Sequence, residues 1–224
     1  MEILVLKITG KAFDEGFQLI SRYMDVMLKL LKEKYKLVIV TGGGSIARKY
    51  ITLARELGIN SNYWLDEIGI WVSALNGLLF IAGLQPYTYP HVSRDIVEVV
   101  SALRYNDVVV LGGLIPGQST ASVLLEVAEA VGARRVYYFS AVGKVYEKDP
   151  EKYPDAKAFD VIKASKLREI IEQKMLPGEY VLIDIHALDL AIRSNIEIQL
   201  LHYKEPELIF EALRGRNPGT LILP

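Results

Sequence analysis

The chain has 224 residues, of which 26 are basic and 27 are acidic, and 51% are hydrophobic. A chain of this length and composition buries a substantial core, which excludes general disorder. The balanced charge, without a basic excess or a basic tail, excludes a protein that binds nucleic acid through bulk charge. The lack of cysteine excludes a disulfide scaffold, a cysteine nucleophile and thiolate metal sites, and three widely separated histidines predict no protein-bound metal.

The first residues are apolar, but the run is short, Lys7 interrupts it, and no small-residue cleavage site follows. These features argue against a signal peptide. No apolar run reaches the ~18 residues that a membrane span requires. We therefore expect a cytoplasmic protein with no membrane partner.

Buried strands and amphipathic helices alternate along the chain. In the first half, the apolar pattern predicts strands at 3–8 and 37–40 and helices at 14–34, 46–57 and 65–83. In the second half it predicts strands at 107–111, 135–140, 180–183 and 196–201 and helices at 120–131, 164–173, 187–194 and 206–213.

This alternation predicts an α/β fold with three layers, in which a mainly parallel sheet is covered by helices on both faces. The chain shows no linker or internal repeat, so we expect a single domain, 1–224, with a boundary between two lobes near Gly132. A polar stretch at 143–157 is long enough to be functional.

Glycines follow three of the predicted strands, and the segment VTGGGSIARKY places three of them directly before a helix. Backbone N–H groups of glycines and the positive end of a helix together favour a phosphate group. The alternative is a tight strand-to-helix turn, although such a turn seldom needs three glycines in a row. Arg48 follows one turn into this helix and could reach a phosphate, although arginine on a helix is more often simply solvated.

Lys7 stands inside an otherwise apolar strand. An unpaired buried ammonium is costly, so an inward-facing Lys7 must meet a carboxylate or a ligand phosphate. The alternative is an edge strand with Lys7 in water.

Several segments, taken in order, resemble the amino acid kinase family, most closely its archaeal uridylate kinase branch. They are LKITGK (6–11), VTGGGSIARKYI (40–51), LDEIGIWVSALN (65–76), GGLIPGQSTAS (112–122), VYEKDP (145–150), RSNI (193–196) and GT (219–220). The resemblance covers essentially the whole chain. It implies an open, mainly parallel sheet between helix layers, with an acceptor lobe at about 1–132 and an ATP lobe at about 133–224.

The resemblance also assigns site residues. Lys7 and Arg48 match catalytic positions. ATP-binding positions are matched by Gly10, Lys11, Gly44, Arg48, Ser140, Tyr146 and Asp149. UMP-binding positions are matched by Gly42, Gly43, Asp66, Leu114, Ile115, Pro116, Gly117, Gln118, Ser119 and Thr120.

The activity implied by the resemblance is ATP-dependent phosphorylation of UMP to UDP in pyrimidine nucleotide synthesis. The partners are then UMP and ATP, with Mg²⁺ held mainly through the phosphates and no metal ligand from the protein. The resemblance implies a homohexamer built from dimers.

One segment and three single positions depart from the family pattern, among them Ala74, which stands where relatives can have an arginine. Residues 140–144 read Ser-Ala-Val-Gly-Lys where the family usually has Thr-Asn-x-Asp-Gly, Ala121 stands where relatives often have an aspartate, and Asp189 replaces a helix lysine. We therefore expect clear binding of UMP and weak binding of ATP. Two alternatives stay open: a homologue that binds nucleotides or anions without catalysis, as a sensor or storage protein, and a kinase with a different small acceptor.

Overall fold

A computed structural model describes residues 1–148, 153, 155–174 and 183–224. The strands in this part of the chain are β1 (Ile3–Ile8), β2 (Lys36–Thr41), β3 (Thr88–Ser93), β4 (Val108–Leu111), β5 (Arg135–Ser140), β6 (Val145–Tyr146), β7 (Ala158–Phe159), β8 (Val161–Lys163), β9 (Glu197–His202) and β10 (Thr220–Leu223). The helices are α1 (Lys11–Asp14), α2 (Phe17–Lys32), α3 (Gly44–Glu56), α4 (Asn62–Gly83), α5 (Ile96–Ala102), α6 (Thr120–Ala130), α7 (Ala164–Lys174), α8 (Ile185–Ser194) and α9 (Leu208–Leu213).

Within the described residues, eight strands form one sheet in the order β3-β4-β2-β1-β5-β9-β10-β8. The strands from β3 to β9 pair in parallel, β10 pairs antiparallel with β9, and β8 pairs in parallel with β10. A separate antiparallel hairpin joins β6 to β7. The prediction of a mainly parallel open sheet is confirmed.

Helices cover both faces of the sheet because successive residues of each strand point to opposite sides. On β1, Val5 belongs to the core beneath α5 to α8, whereas Leu4 and Leu6 belong to the core beneath α2, α4 and α9. Lys7 has the same parity as Val5. The lysine therefore points toward the α6 and α8 side, near the carboxyl end of β1.

Contrary to the expectation from the sequence, one helix, α4, is long and apolar enough to span a membrane by length and composition alone, with a mean hydropathy of 1.5 in its most apolar window. Half of that window is buried inside the protein. The helix packs on β2, β3 and β4, where Phe80 and Ile81 enter the core. It therefore has a face that is part of the fold and a second, exposed face.

The structure corrects several predicted elements. The helix predicted at 14–34 is α2, at Phe17–Lys32, and begins only after Gly16, whose φ is +83°; the short helix α1 before it was missed. The sequence pattern missed β3, which contains Pro90 and lies at the sheet edge, where a residue without an N–H is tolerated. It also missed α5 and the short strands β6, β7, β8 and β10. Of the strand predicted at 180–183, residues 180–182 lie outside the described residues and Ile183 is not in a strand.

Candidate functional site

A cavity of about 260 Å³ opens at the carboxyl ends of β1 and β2. In an open α/β sheet this edge is where ligands bind. The cavity is lined by Lys7, Thr9, Gly10, Lys11, Gly42, Gly43, Gly44, Arg48, Ser119, Thr120, Ala121, Tyr138, Ile183 and Asp184. Nine of these residues were predicted as site residues from the sequence. The structure therefore brings together segments that are far apart in the chain.

Lys7 is a buried cation at the floor of the cavity, with 5% of its surface exposed. Its Nζ lies 3.7 Å from the centre of the Tyr138 ring, on the neighbouring strand β5. Burial lowers the pKa of Lys7 from its ordinary 10.5 to about 7, while the nearby carboxylate of Asp184 raises it. Of the two interpretations of Lys7, the inward-facing one is correct, because β1 is a central strand.

The glycines of the cavity pack backbone against backbone. A Cβ on Gly10 would lie 1.9 Å from the Gly44 nitrogen, and a Cβ on Gly42 would lie 2.7 Å from the Gly10 nitrogen. Gly44 itself adopts a φ of +67°. The buried amide of Asn76 donates to the carbonyl oxygen of Gly42 at 2.7 Å and fixes the loop from α4. The three consecutive glycines are thus required by close packing as well as being suited to an anion.

The N-terminus of α3 meets a carboxylate. Asp14 accepts hydrogen bonds from the Ser45 N–H at 3.0 Å and from the Ser45 hydroxyl at 2.6 Å. The Arg48 guanidinium lies 3.6 Å from the same carboxylate. Arg48 therefore lines the cavity while paired with an internal acid, at the helix end where a phosphate would also be favoured.

The N-terminus of α6 also opens onto the cavity. The Ser119 hydroxyl caps this helix by accepting from the N–H groups of Ala121 and Ser122, at 3.0 and 3.1 Å. The same hydroxyl donates to Asp184. Thr120 is the first residue of the helix and faces the cavity.

A second groove, of about 370 Å³, adjoins the first and shares Ser119 and Asp184 with it. It is lined by the predicted loop residues Ile115, Pro116, Gly117 and Gln118, and by Ser122 and His186. Leu114 is partly buried and packs against the core.

Asp66 connects α4 to this loop. One of its carboxylate oxygens, Oδ2, accepts a hydrogen bond from the Gly117 N–H at 2.8 Å. Its other oxygen, Oδ1, has no hydrogen bond to any described residue. Asp66 therefore holds this loop against α4 through one of its two carboxylate oxygens.

The predicted ATP-side residues Ser140 and Tyr146 lie outside the lining of the main cavity. Ser140 is fully buried and accepts from the Gly143 N–H at 3.1 Å. Gly143 has a φ of +70°, and a Cβ there would lie 2.8 to 2.9 Å from Cβ, Cα and the backbone nitrogen of His202. Lys144 pairs with Asp160 at 3.2 Å. Asp149 lies outside the described residues.

Sequence reasoning missed three side chains that organise the site, namely Asp14, Asn76 and Asp184. Asp184 caps α8, since its carboxylate accepts from the Ala187 N–H at 3.0 Å. An aspartate before a helix is a cap signal that the sequence does contain. Its contacts with Ser119 and Ser122 join residues more than 60 positions apart and carry no local signal.

The carboxyl ends of the mainly parallel sheet bring together a buried lysine, the glycine loop (Gly42–Gly44) and the N-termini of two helices. These features define an α/β protein suited to binding phosphate groups. The model of the amino acid kinase family matches residues 2–202, and the chain belongs to this family.

Relatives in other organisms match over nearly the full length. The chain is 56% identical to a uridylate kinase of Staphylothermus marinus, covering 99% of this chain and 98% of the relative. It is 37% identical to a uridylate kinase of Pyrobaculum calidifontis, covering 98% and 99%. Among solved structures, uridylate kinase from Archaeoglobus fulgidus superposes with a TM-score of 0.87 at 30% identity, covering 99% of this chain and all of that one.

Proposed function

We propose that this protein transfers a phosphoryl group from ATP to UMP, making UDP and ADP for pyrimidine nucleotide synthesis. The observation that carries the proposal is the buried ammonium of Lys7, which lies at the floor of a cavity between the glycine loop and the N-terminus of α6. The full-length similarity to proteins named uridylate kinase supports the same reaction.

The chemistry requires positioning and charge more than proton transfer. The acceptor phosphate of UMP is already a nucleophilic oxyanion, so no general base is needed. Lys7 and Arg48 would neutralise charge on the group in transfer, and the N–H groups at the starts of α3 and α6 would orient the phosphates. We assign the acceptor to Asp66, Thr120 and the loop 114–119.

ATP would bind on the other side of Lys7, against Gly10, Lys11 and Gly44, with Ser140, Tyr146 and Asp149 toward the base and ribose. Mg²⁺ would be held mainly through the phosphate oxygens, where it would neutralise charge during transfer.

We further propose a division into an acceptor lobe at about 1–132 and an ATP lobe at about 133–224, a cytoplasmic location, and a homohexamer built from dimers. The exposed faces of α3 and α4 support a dimer of this chain, because they carry many exposed apolar side chains. These are Ile46, Tyr50 and Leu53 on α3, Leu57 directly after it, and Trp64, Trp71, Leu75, Leu78 and Leu79 on α4. An exposed apolar surface of this kind is typical of a protein interface.

The test is a direct assay of UDP and ADP formation from ATP, Mg²⁺ and UMP, with CMP and AMP in place of UMP as controls. The proposal predicts turnover with UMP that strongly exceeds turnover with CMP or AMP. Calorimetric binding of UMP without any UDP formation would instead support the non-catalytic binding protein. Efficient turnover with a different small acceptor would show that this compound, and not UMP, is the phosphate acceptor.

A further inference from the structure

The carboxylate of Asp184 lines the cavity, accepts hydrogen bonds from the starts of two helices, and acts electrostatically on Lys7. It caps α8 through the Ala187 N–H at 3.0 Å. It accepts from the Ser122 hydroxyl at 2.9 Å through Oδ1 and from the Ser119 hydroxyl through Oδ2. It also raises the pKa of Lys7 on β1. A plain helix cap would need only the first of these contacts.

Asp184 is the only acid among the described residues that line the cavity. The other charged side chains facing this space are Lys7 from β1, Lys11 from α1 and Arg48 from α3, while β5 contributes the Tyr138 ring. Within the described part of the cavity, Asp184 at the start of α8 therefore supplies the negative charge that compensates the buried Lys7. The first turn of α6 cannot supply it, because Ala121 stands there.

We propose that Asp184 is a positioning residue for phosphoryl transfer, which holds Ser119 and Ser122 at the start of α6 and places a negative charge in the same cavity as the Lys7 ammonium. This inference rests on the proposed function. Through one carboxylate, Asp184 connects the start of α6 in the acceptor lobe to the start of α8 in the second lobe.

The key variant is Asp184→Asn, because asparagine caps helices as well as aspartate does but carries no charge. The matched control is Asp95→Asn, since Asp95 caps α5 through the Glu98 N–H at 2.7 Å and lies away from the cavity. Asp184→Ser, which also preserves a cap, is the second variant should the asparagine variant fail to fold.

Two measurements distinguish positioning from capping. Steady-state kinetics should show kcat about 10- to 100-fold lower in Asp184→Asn, with KM for UMP changed far less, because the loss concerns alignment rather than acceptor binding. NMR titration of the Lys7 side chain, in protein without nucleotide, should show its pKa lowered by about one unit, as expected when a neighbouring opposite charge is removed. Asp95→Asn should change neither quantity.

The NMR titration does not depend on enzyme activity, so it tests the inference even if the wild-type protein makes no UDP. An unmoved Lys7 pKa in Asp184→Asn would overturn the proposal, and so would a kcat equal to that of the Asp95→Asn control in an active enzyme. A raised KM for UMP with unchanged kcat would also overturn it, because Asp184 would then bind the acceptor itself.

Discussion

The ammonium of Lys7 lies in the middle of an apolar sheet, where a charged group is strongly disfavoured. Its Nζ lies 3.7 Å from the centre of the Tyr138 ring, and the nearby carboxylate of Asp184 raises its pKa, yet burial still lowers that pKa to about 7. A residue that costs stability and is nevertheless aimed into a cavity is typical of a functional site. The burial of Lys7 therefore lowers the stability of the fold and places a titratable amine against the cavity.

We expect Lys7→Met to lower kcat by roughly 100-fold or more, because it removes a charge that acts on the transferring group. The same substitution should raise Tm at pH 6, where the folded wild type must bury a charged lysine. Between about pH 7 and 10.5 the unfolded wild type binds more protons at Lys7 than the folded form, so wild-type stability rises with pH and the advantage of the variant shrinks. Thermal unfolding of both proteins between pH 6 and 10.5 checks whether the Tm advantage of the variant shrinks as the pH rises.

The control is Lys32→Met on the exposed side of α2, which should move neither kcat nor the pH dependence. A Lys7→Met protein that is less stable than wild type at pH 6 would contradict the assignment of Lys7 as a strained, buried charge.

Asp66 offers a second residue-level test. We expect Asp66→Ala to weaken UMP binding by about 1–3 kcal/mol, through loss of a charge-assisted acceptor and of the Gly117 contact. ATP binding should barely change. Calorimetry with each nucleotide checks this, with Glu67→Ala, the next residue on α4, as the control. Equal losses for UMP and ATP would indicate that Asp66 only stabilises the fold.

Among elements, the strands with strong apolar runs were predictable and the irregular ones were not. The bounds of β1 and β5 match the sequence pattern fully, because each is a buried parallel strand with no competing signal. The edge strand β3 and the short strands β8 and β10 have no such apolar run, because they are strands only through their hydrogen bonds to neighbouring strands. The glycine loop and Lys7 could be predicted from the local sequence. The partners of Asp14 and Asp184 could not, because they lie far away in the chain and meet only in the folded protein.

The loop after β5, residues 141–144, does not have room for the family carboxylate that it lacks. The family carboxylate would stand at Gly143, whose backbone has φ +70° and abuts His202. We expect Gly143→Asp to lower the free energy of unfolding by about 1–3 kcal/mol or more and to reduce ATP turnover rather than raise it. Denaturant unfolding and the UDP assay check both effects.

Ala141→Asn is the matched change in the same loop, at a half-buried position, and should alter the free energy of unfolding by no more than ~0.5 kcal/mol. A Gly143→Asp protein with wild-type stability and higher turnover would show that the loop can accept the family residue.

At the scale of the whole molecule, a single helix, α4, contacts both loops that border the cavities and also carries the exposed apolar side chains. Its buried side holds the glycine loop through Asn76, its N-terminal part carries Asp66, and its outer side exposes Trp71 and Leu75. Contacts made on the outer side therefore bear on the same rigid element that positions the acceptor loop.

Leu75→Glu should disrupt the proposed dimer, because it places a charge in the middle of the exposed apolar stripe, where Leu75 is 59% exposed and Trp71 62%. Burying an unpaired carboxylate between two copies is strongly unfavourable. We expect light scattering after size-exclusion chromatography to show a lower particle mass for the variant than for the wild type. The matched control is Val97→Glu on α5, which is 75% exposed on the opposite layer and should leave the mass unchanged. A wild-type protein that runs as a monomer, or a Leu75→Glu variant of unchanged mass, would contradict an interface on α4.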